Sequence, residues 1–491
     1  MGSDDNGRRD VGEAAKVGLF IGGTWRDASS GATFDLIDPA REEVVGTAAL
    51  ADAGDTNAAI EAAEAGFAVW RKTGPWERAK VLRRVAGLLG ERGEAVARSL
   101  AVACGKPLAQ ARGEVAGAVE TIDWYADEAR RIYGEVLQGR APGQRFVVTH
   151  EPVGVVAAFT AWNFPVALVA RKLAPALAAG CSIVVRPAEE GCEAVAMLVQ
   201  CCVDAGVPDG VVNLLTGKPE PVADAVMASD LVRKVTFTGS VPVGQHLMRR
   251  AADTMKRVSM ELGGHAPVIV WDDVDVAKAA KAAAAAKLRN NGQVCVSPTR
   301  FFVQEGIKDG FVDALAEAVK GMKLGHPLDE GTEVGPLINR RRLEAVDGMV
   351  RDTVAEGARI VTGGGRPAGM NRGYYFEPTV LDGVEDGMRV MRDEPFGPIA
   401  PMTSFKSLDE VIERANALPV GLAGYVLTGD MARAEATAAG LKVGMVGVNT
   451  YAVATAEMPF GGVKHSGFGR ENGRQGILDY LDVKFTNWTM G

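Results

Sequence analysis

Long apolar runs are missing from the 491-residue sequence. No stretch reaches the roughly 18 consecutive apolar residues that a membrane-spanning helix needs. The Ala-rich stretch from Val276 to Leu288 is broken by Lys278, Lys281 and Lys287, which suits a helix in water. An excess of basic charge is also missing. Lys+Arg is 54 against 62 Asp+Glu, a net charge of −8, whereas a nucleic-acid binder needs a basic surface to replace phosphate counterions. Cysteine is scarce and unpatterned. The six are Cys104, Cys181, Cys192, Cys201, Cys202 and Cys295, with no C-x-x-C pair and no His cluster nearby, and the five histidines are scattered. We therefore expect no metal site and no disulfide framework, and read the thiols as reduced, in a cytoplasmic protein. Met1 to Lys16 is polar and lacks the apolar core of a secretory signal, and we expect a mobile tail there. No internal repeat or low-complexity linker interrupts the chain. Neither nucleic acid nor membrane is expected as a partner.

What is present reads as a large α/β protein. Hydrophobic residues make up 47% and charged residues 24%, close to the soluble globular average. At roughly 150 residues per domain the length implies about three domains, or two large ones. From Val153 the chain alternates apolar runs and helical patterns: Val153–Thr160, Ser182–Arg186, Val211–Leu215 and Lys234–Thr238 as strands, with helices at Val166–Ala179, Ala194–Asp204, Pro221–Ala228 and Val243–Met255. Continuous apolar strands between helices predict a doubly wound parallel sheet with ligands at the strands' carboxyl ends. A second α/β series starts at Pro267–Trp271, and the boundary falls near Gly263-Gly264. Earlier, a helix from Thr56 to Trp70 has Thr56 as its expected cap.

Five motifs could carry chemistry. Phe237-Thr238-Gly239-Ser240 with Gly244 closes a strand and opens a helix, a place where free backbone N–H groups meet phosphates. Alone it reads as a plain turn capped by Ser240. Arg186-Pro187-Ala188-Glu189 ends a buried strand, where a carboxylate can accept from ribose hydroxyls; alone Glu189 reads as a solvated loop residue. Asn290-Asn291-Gly292-Gln293-Val294-Cys295 puts a cysteine in a polar loop, as a nucleophile would need or as an inert thiol would tolerate. Glu261 before Gly263-Gly264 offers a general base in a tight turn, or a surface carboxylate. In Trp162-Asn163-Phe164-Pro165 the Asn163 amide can donate to an oxyanion, or simply cap the next helix.

Together, in this order, these motifs resemble the aldehyde dehydrogenase superfamily from about Leu19 to Phe485, closest in pattern to its succinate semialdehyde dehydrogenase-like members. Glu151-Pro152-Val153-Gly154-Val155, Glu394-Pro395-Phe396-Gly397-Pro398 and Pro459-Phe460-Gly461-Gly462-Val463-Lys464-x-Ser466-Gly467 complete the match. The resemblance implies that fold: an NAD-binding domain (residues 17–131 and 151–262), a catalytic α/β domain (263–470) and a β-arm for oligomerisation (132–150 and 471–491), in a homodimer or homotetramer. It implies attack by the Cys295 thiolate on an aldehyde, an oxyanion stabilised by Asn163 and the Cys295 N–H, hydride transfer to NAD, and hydrolysis of the thioester by water activated by Glu261. Lys172 matches a position that supports the site. Trp162, Arg186, Glu189, Gly239, Ser240, Glu394 and Phe396 match cofactor positions. Arg186 stands where the family usually has Lys, and Glu189 favours NAD while leaving NADP open. His265 replaces the usual Asn or Lys. Ser297 stands where related semialdehyde enzymes often carry a second cysteine, so a vicinal-cysteine switch is not expected.

Arg171 and Arg289 fall at positions that line the substrate mouth in the family. Two guanidinium groups there would clamp a substrate carboxylate; the alternative is that they salt-bridge structural carboxylates. Tyr451 and Thr455 belong to the other expected wall. That wall departs from the succinate-type pattern, which usually has serines near Ala454 and Thr455. The expected function is NAD-dependent oxidation of a carboxylate-bearing aldehyde, with uncharged aromatic or aliphatic aldehydes as the alternative. A CoA-acylating enzyme fits less well because Glu261 is present. A non-catalytic structural protein on the same fold would not need Cys295, Glu261 and Asn163 together.

Overall fold

The computed structural model describes residues 15–490. Of the tail expected over Met1 to Lys16, residues 1–14 lie outside the described residues. Ala15 and Lys16 are not tail: with Val17 they form a strand that pairs in parallel with Glu43–Ala49. Among the described residues, no helix is long and apolar enough to cross a membrane.

An eight-stranded sheet organises the first half. Five of its strands run in parallel, in the spatial order Arg257–Leu262, Val232–Gly239, Val155–Phe159, Ser182–Arg186, Val212–Leu214. The sequence order reverses between Val155–Phe159 and Val232–Gly239, so the crevice at their carboxyl ends is the topological switch point where such sheets bind ligands. Val155–Phe159 and Ser182–Arg186 are buried throughout, as their unbroken apolar runs predict for strands covered on both faces. The hairpin Leu19–Ile21 and Thr24–Arg26 closes one edge, and Gly467–Phe468 closes the other beside Glu261.

A seven-stranded sheet organises the second half, with Ala266–Val270 between Pro298–Gln304 and Ala423–Leu427. A third sheet, of Glu135–Gln138, Gln144–Pro152 and Leu481–Thr489, stands apart with its faces largely exposed.

Several local expectations are corrected. The first long helix runs Ala53–Trp70, and its cap is Asp52, not Thr56. Asp52 and Asp55 form a reciprocal capping box, which satisfies two orphan N–H groups where a threonine would satisfy one. The helix Pro165–Ala179 is capped at Phe164 without a side-chain bond, so Asn163 is not spent as a cap. Ser240 does hold the cap position of Val241–Ala252, but its hydroxyl makes no capping bond. Glu261 lies in the strand Arg257–Leu262 and not in a tight turn.

Candidate active site

Cys295 lies between the two large sheets, on the turn that leads into Pro298–Gln304. It is half-exposed, whereas the other five cysteines are buried. Its loop is locked in an unusual shape. Asn290 and Asn291 both adopt left-handed backbone angles, at φ 47° and 57°. Asparagine tolerates that region because its short amide bonds locally. Asn290 Nδ2 donates to the carbonyls of Asn163 (3.0 Å) and Gln293 (3.2 Å). Gln293 Oε1 accepts from Ile338 N–H at 3.0 Å, and Asn291 Oδ1 from Gly335 N–H at 2.8 Å. Gly292 has φ +74°, and a Cβ there would stand 2.1 Å from the Gly397 carbonyl oxygen.

Asn163 comes from the other side of the cleft, at the carboxyl end of Val155–Phe159. Its Nδ2 donates to the Gln293 carbonyl at 3.2 Å, two residues before Cys295. Its Oδ1 is buried without a partner. The Asn163 carbonyl accepts from Lys106 Nζ at 2.9 Å.

Glu261 is buried, and neither carboxylate oxygen has a hydrogen-bond partner. Burial, reinforced by the Glu471 carboxylate, holds its pKa well above the usual carboxylate range, against the pull of Lys172. Gly461 gives it room, since a Cβ there would come within 2.7 Å of Glu261 Oε1. Lys172 is fully buried; it ion-pairs with Glu471 and donates to Thr236 Oγ1 at 3.1 Å. An isolated buried charge costs several kcal/mol, so this pairing permits a lysine so deep. The sequence reading assigned Glu471 to the oligomerisation arm, but it belongs here.

The Cys295 thiol is pushed up to about 12 by burial and by the Glu394 and Glu261 carboxylates, while Arg171 and Arg289 pull it down. Arg171 stacks 4.5 Å over the Phe460 ring, and Arg289, which is exposed, lies 5.3 Å over Phe164. Among the described residues neither forms a direct ion pair; Glu261 feels the charge of Arg171, and Arg289 that of Glu114. Tyr451 packs 4.9 Å from the Tyr425 ring, in the same cluster as Cys295, Phe164 and Phe460; its hydroxyl is buried and unpartnered. Thr455 is exposed, and only its carbonyl is engaged, by Asn472 Nδ2 at 2.9 Å. Its side chain is not drawn into the cleft by any recorded bond.

Of the remaining positions, Trp162, Arg186, Glu189, Gly239 and Ser240 stand at or just after the carboxyl ends of strands in the first sheet, and Glu394 and Phe396 precede the strand Ile399–Phe405. Trp162 and Phe396 meet edge to face at 5.3 Å, with Phe396 at φ 42°. Glu394 is raised to about 8 by burial, and a Cβ on Gly263 would meet its Oε2 at 2.7 Å. Arg186 is buried; its guanidinium donates to the Gly217 carbonyl and pairs with Glu189 at 3.1 Å. Gly239 ends the strand Val232–Gly239, and the exposed Ser240 follows it at the start of the next helix. Thr238 Oγ1 and Thr160 Oγ1, at the carboxyl ends of adjacent strands, are buried without partners. Orphaned hydroxyls, the helix start that follows Ser240 and a carboxylate at Glu189 suit the phosphates and ribose of a dinucleotide.

His265 turns out to be structural. Its two ring nitrogens engage Thr299 Oγ1 at 2.8 Å and the Val390 carbonyl at 3.0 Å, and burial pushes its pKa well below the usual value. Sequence reasoning missed Lys106, Glu114, Glu471 and Thr236, and named Asn290 only as part of the Cys295 loop; all of them hold site residues.

The chain matches the family model described as the aldehyde dehydrogenase family over residues 25–486. It is 43% identical over 466 residues to a glutarate-semialdehyde dehydrogenase of Pseudomonas putida (strain KT2440), covering 95% of this chain and 96% of that one. It is 44% identical over 470 residues to a 3-sulfolactaldehyde dehydrogenase of Pseudomonas putida, covering 96% of each. The crystal structure of succinate-semialdehyde dehydrogenase from Burkholderia pseudomallei superposes with a TM-score of 0.95 at 43% identity, over 100% of both chains.

Proposed function

Because the chain belongs to the aldehyde dehydrogenase family, we propose that it oxidises an aldehyde bearing its own anionic group, with a carboxylate semialdehyde as the reference substrate. One observation carries the substrate class: Arg171 and Arg289 both act on the Cys295 thiol, and among the described residues neither is engaged in a direct ion pair with a carboxylate. Unpaired guanidinium groups at a cleft are charge-assisted donors waiting for an anion. An uncharged aldehyde would leave both unused. The similarity to a sulfolactaldehyde enzyme supports a second reading in which the anion is a sulfonate; the guanidinium fork suits either oxyanion.

In this reading Cys295 Sγ bonds to the aldehyde carbon. The carbonyl oxygen becomes an oxyanion held by Asn163 Nδ2 and the Cys295 N–H, donors that cost no reorganisation because their loops are already fixed. The bound dinucleotide supplies the hydride acceptor. The acyl group then sits on Cys295 as a thioester. Glu261 takes a proton from the attacking water, the C–S bond breaks, the carboxylic acid leaves and Cys295 returns as thiolate; Lys172 with Glu471 sets the charge around that carboxylate. Trp162, Arg186, Glu189, Gly239, Ser240, Glu394 and Phe396 hold the dinucleotide. Glu189 repels a 2′-phosphate, so NAD is the preferred form. We assign the sheet around Val155–Phe159 to the cofactor and the sheet around Ala266–Val270 to the nucleophile. The third sheet, which leaves Val136, Leu137, Val483, Phe485 and Trp488 exposed, is the subunit interface of a homo-oligomer.

The test uses Glu261→Gln, mixed with NAD and succinate semialdehyde. Intact-mass measurement should find one acyl group added, and the adduct should vanish when Cys295 is also replaced. An unmodified mass in the single variant, with NADH formation continuing at the wild-type rate, would contradict Glu261 as the hydrolytic base.

A further inference from the structure

The oxyanion donor must present its amide at a fixed point, and the groups that hold it are themselves charged and sealed from water. We propose that the buried Lys106–Glu114 ion pair is the positioning device for Asn163; this rests on the reading of Asn163 as the oxyanion donor.

Lys106 is wholly buried, as is the Glu114 side chain it pairs with. Lys106 Nζ spends a second donor on the Asn163 carbonyl, at 2.9 Å. Glu114 reaches the residues that follow: its Oε1 accepts the N–H of Val166 at 3.0 Å and of Ala167 at 3.2 Å. These are orphan donors in the first turn of Pro165–Ala179, which lacks a side-chain cap of its own. One ion pair thus grips the chain at Asn163 and again three and four residues later. Between the grips lies Phe164, with Lys106 Nζ 4.0 Å above its ring. Arg289 lies over the same ring.

The same Asn163 carbonyl also accepts from Asn290, on the nucleophile loop. Lys106 and Asn290 therefore converge on one oxygen, from the cofactor side and the nucleophile side of the cleft. Removing Lys106 leaves the peptide after Asn163 held from one side, and the side-chain amide moves with it. A buried ion pair stabilises a fold poorly relative to apolar residues of the same volume. A charged donor aimed at one carbonyl supplies direction that packing does not. Displacements well under 1 Å matter to a donor that must meet a developing oxyanion.

Two reactions of Cys295 separate positioning from general damage. With 4-nitrophenyl acetate, Sγ bonds to the carbonyl carbon, the oxygen passes through an oxyanion, and the C–O bond breaks to release 4-nitrophenolate. With iodoacetamide, Sγ bonds to the methylene carbon, iodide leaves, and no carbonyl oxyanion forms. Asn163→Ala should slow acylation about 100-fold, and Lys106→Met about tenfold, each with alkylation within about twofold of wild type. The double variant Lys106→Met/Glu114→Gln avoids an unpaired buried carboxylate and retains an oxygen for Val166 and Ala167, and it should show the same selective loss. Selective loss in Asn163→Ala but not in the Lys106 variants would overturn the positioning role alone. Unchanged acylation in Asn163→Ala would overturn the oxyanion reading itself. Parallel loss of acylation and alkylation in both Lys106 variants would also overturn the proposal, since it would mark damage to the nucleophile.

Discussion

Replacing Arg171 by Met removes one guanidinium beside Cys295 without orphaning a carboxylate, because among the described residues it pairs with none. Its recorded contact is the Phe460 ring at 4.5 Å, and a methionine keeps most of that apolar packing. The two neighbouring guanidinium groups also repel each other, so folding stability should hold or rise slightly. A hydrogen bond to a charged group contributes about 1.5–3 kcal/mol. At about 1.4 kcal/mol per tenfold, kcat/KM for an anionic semialdehyde should fall roughly 10- to 150-fold. Arg171 also pulls the Cys295 thiol down, so its loss lowers the thiolate fraction for every substrate. The ratio of two substrates cancels that shared effect. The assay is initial NADH formation at subsaturating succinate semialdehyde and butyraldehyde, with wild type and variant. The semialdehyde-to-butyraldehyde ratio should drop by about tenfold or more, and added salt should shrink the wild-type ratio. Equal losses on both substrates would refute the clamp and leave Arg171 acting only on the thiol.

Three further outcomes follow from the geometry. Glu189→Ser should raise kcat/KM with NADP and lower it with NAD, because it removes the repelling carboxylate and frees the Arg186 guanidinium it pairs with at 3.1 Å; paired assays with the two dinucleotides check this. Gly292→Ala should cost about 1–3 kcal/mol and most of the activity, since the backbone at φ +74° and the Gly397 carbonyl at 2.1 Å both oppose a Cβ; urea unfolding and NADH formation measure the two effects. The third concerns Glu261, whose pKa is raised by burial and by Glu471. A raised folded-state pKa means that only the unfolded chain gains from ionising this group, so its contribution is favourable at low pH and is lost as pH rises above the unfolded value of about 4.3. Glu261→Gln should therefore gain stability relative to wild type as pH rises above about 4.3, by up to about 1.4 kcal/mol per pH unit until the folded-state carboxyl ionises. A difference that stays flat with pH would contradict the burial argument.

The parts of the fold legible in sequence were those with one-dimensional signatures. Ser182–Arg186 reads as a strand from its apolar run and is one. Arg257–Leu262 was not read as a strand, because its Ser259 and Glu261 are polar. The reason is tertiary: Ser259 accepts from Lys234 on the adjacent strand and bonds to Asp479 at 2.9 Å, while Glu261 faces the cleft. The cap at Asp52 was missed because Thr56 also suits the start of a helix. At the site, Cys295, Asn163 and Glu261 stand in motifs that carry their own context. Lys106, Glu114 and Glu471 do not. Lys106 and Glu114 pair across eight residues, but they reach the site through Asn163 and Val166, 57 and 52 residues away, and Lys172 meets Glu471 across 299; no local spacing encodes such contacts. The unpaired state of Arg171 and Arg289 was likewise invisible, since an ion pair requires knowing what lies across the cleft.

In the proposed function this cleft oxidises an aldehyde that carries an anion. The most direct test follows NADH formation by the wild-type protein with NAD and succinate semialdehyde, glutarate semialdehyde, 3-sulfolactaldehyde, benzaldehyde and butyraldehyde in parallel. At least one anionic aldehyde should exceed both uncharged ones in kcat/KM by about tenfold or more. Benzaldehyde or butyraldehyde matching or exceeding every anionic substrate would contradict it.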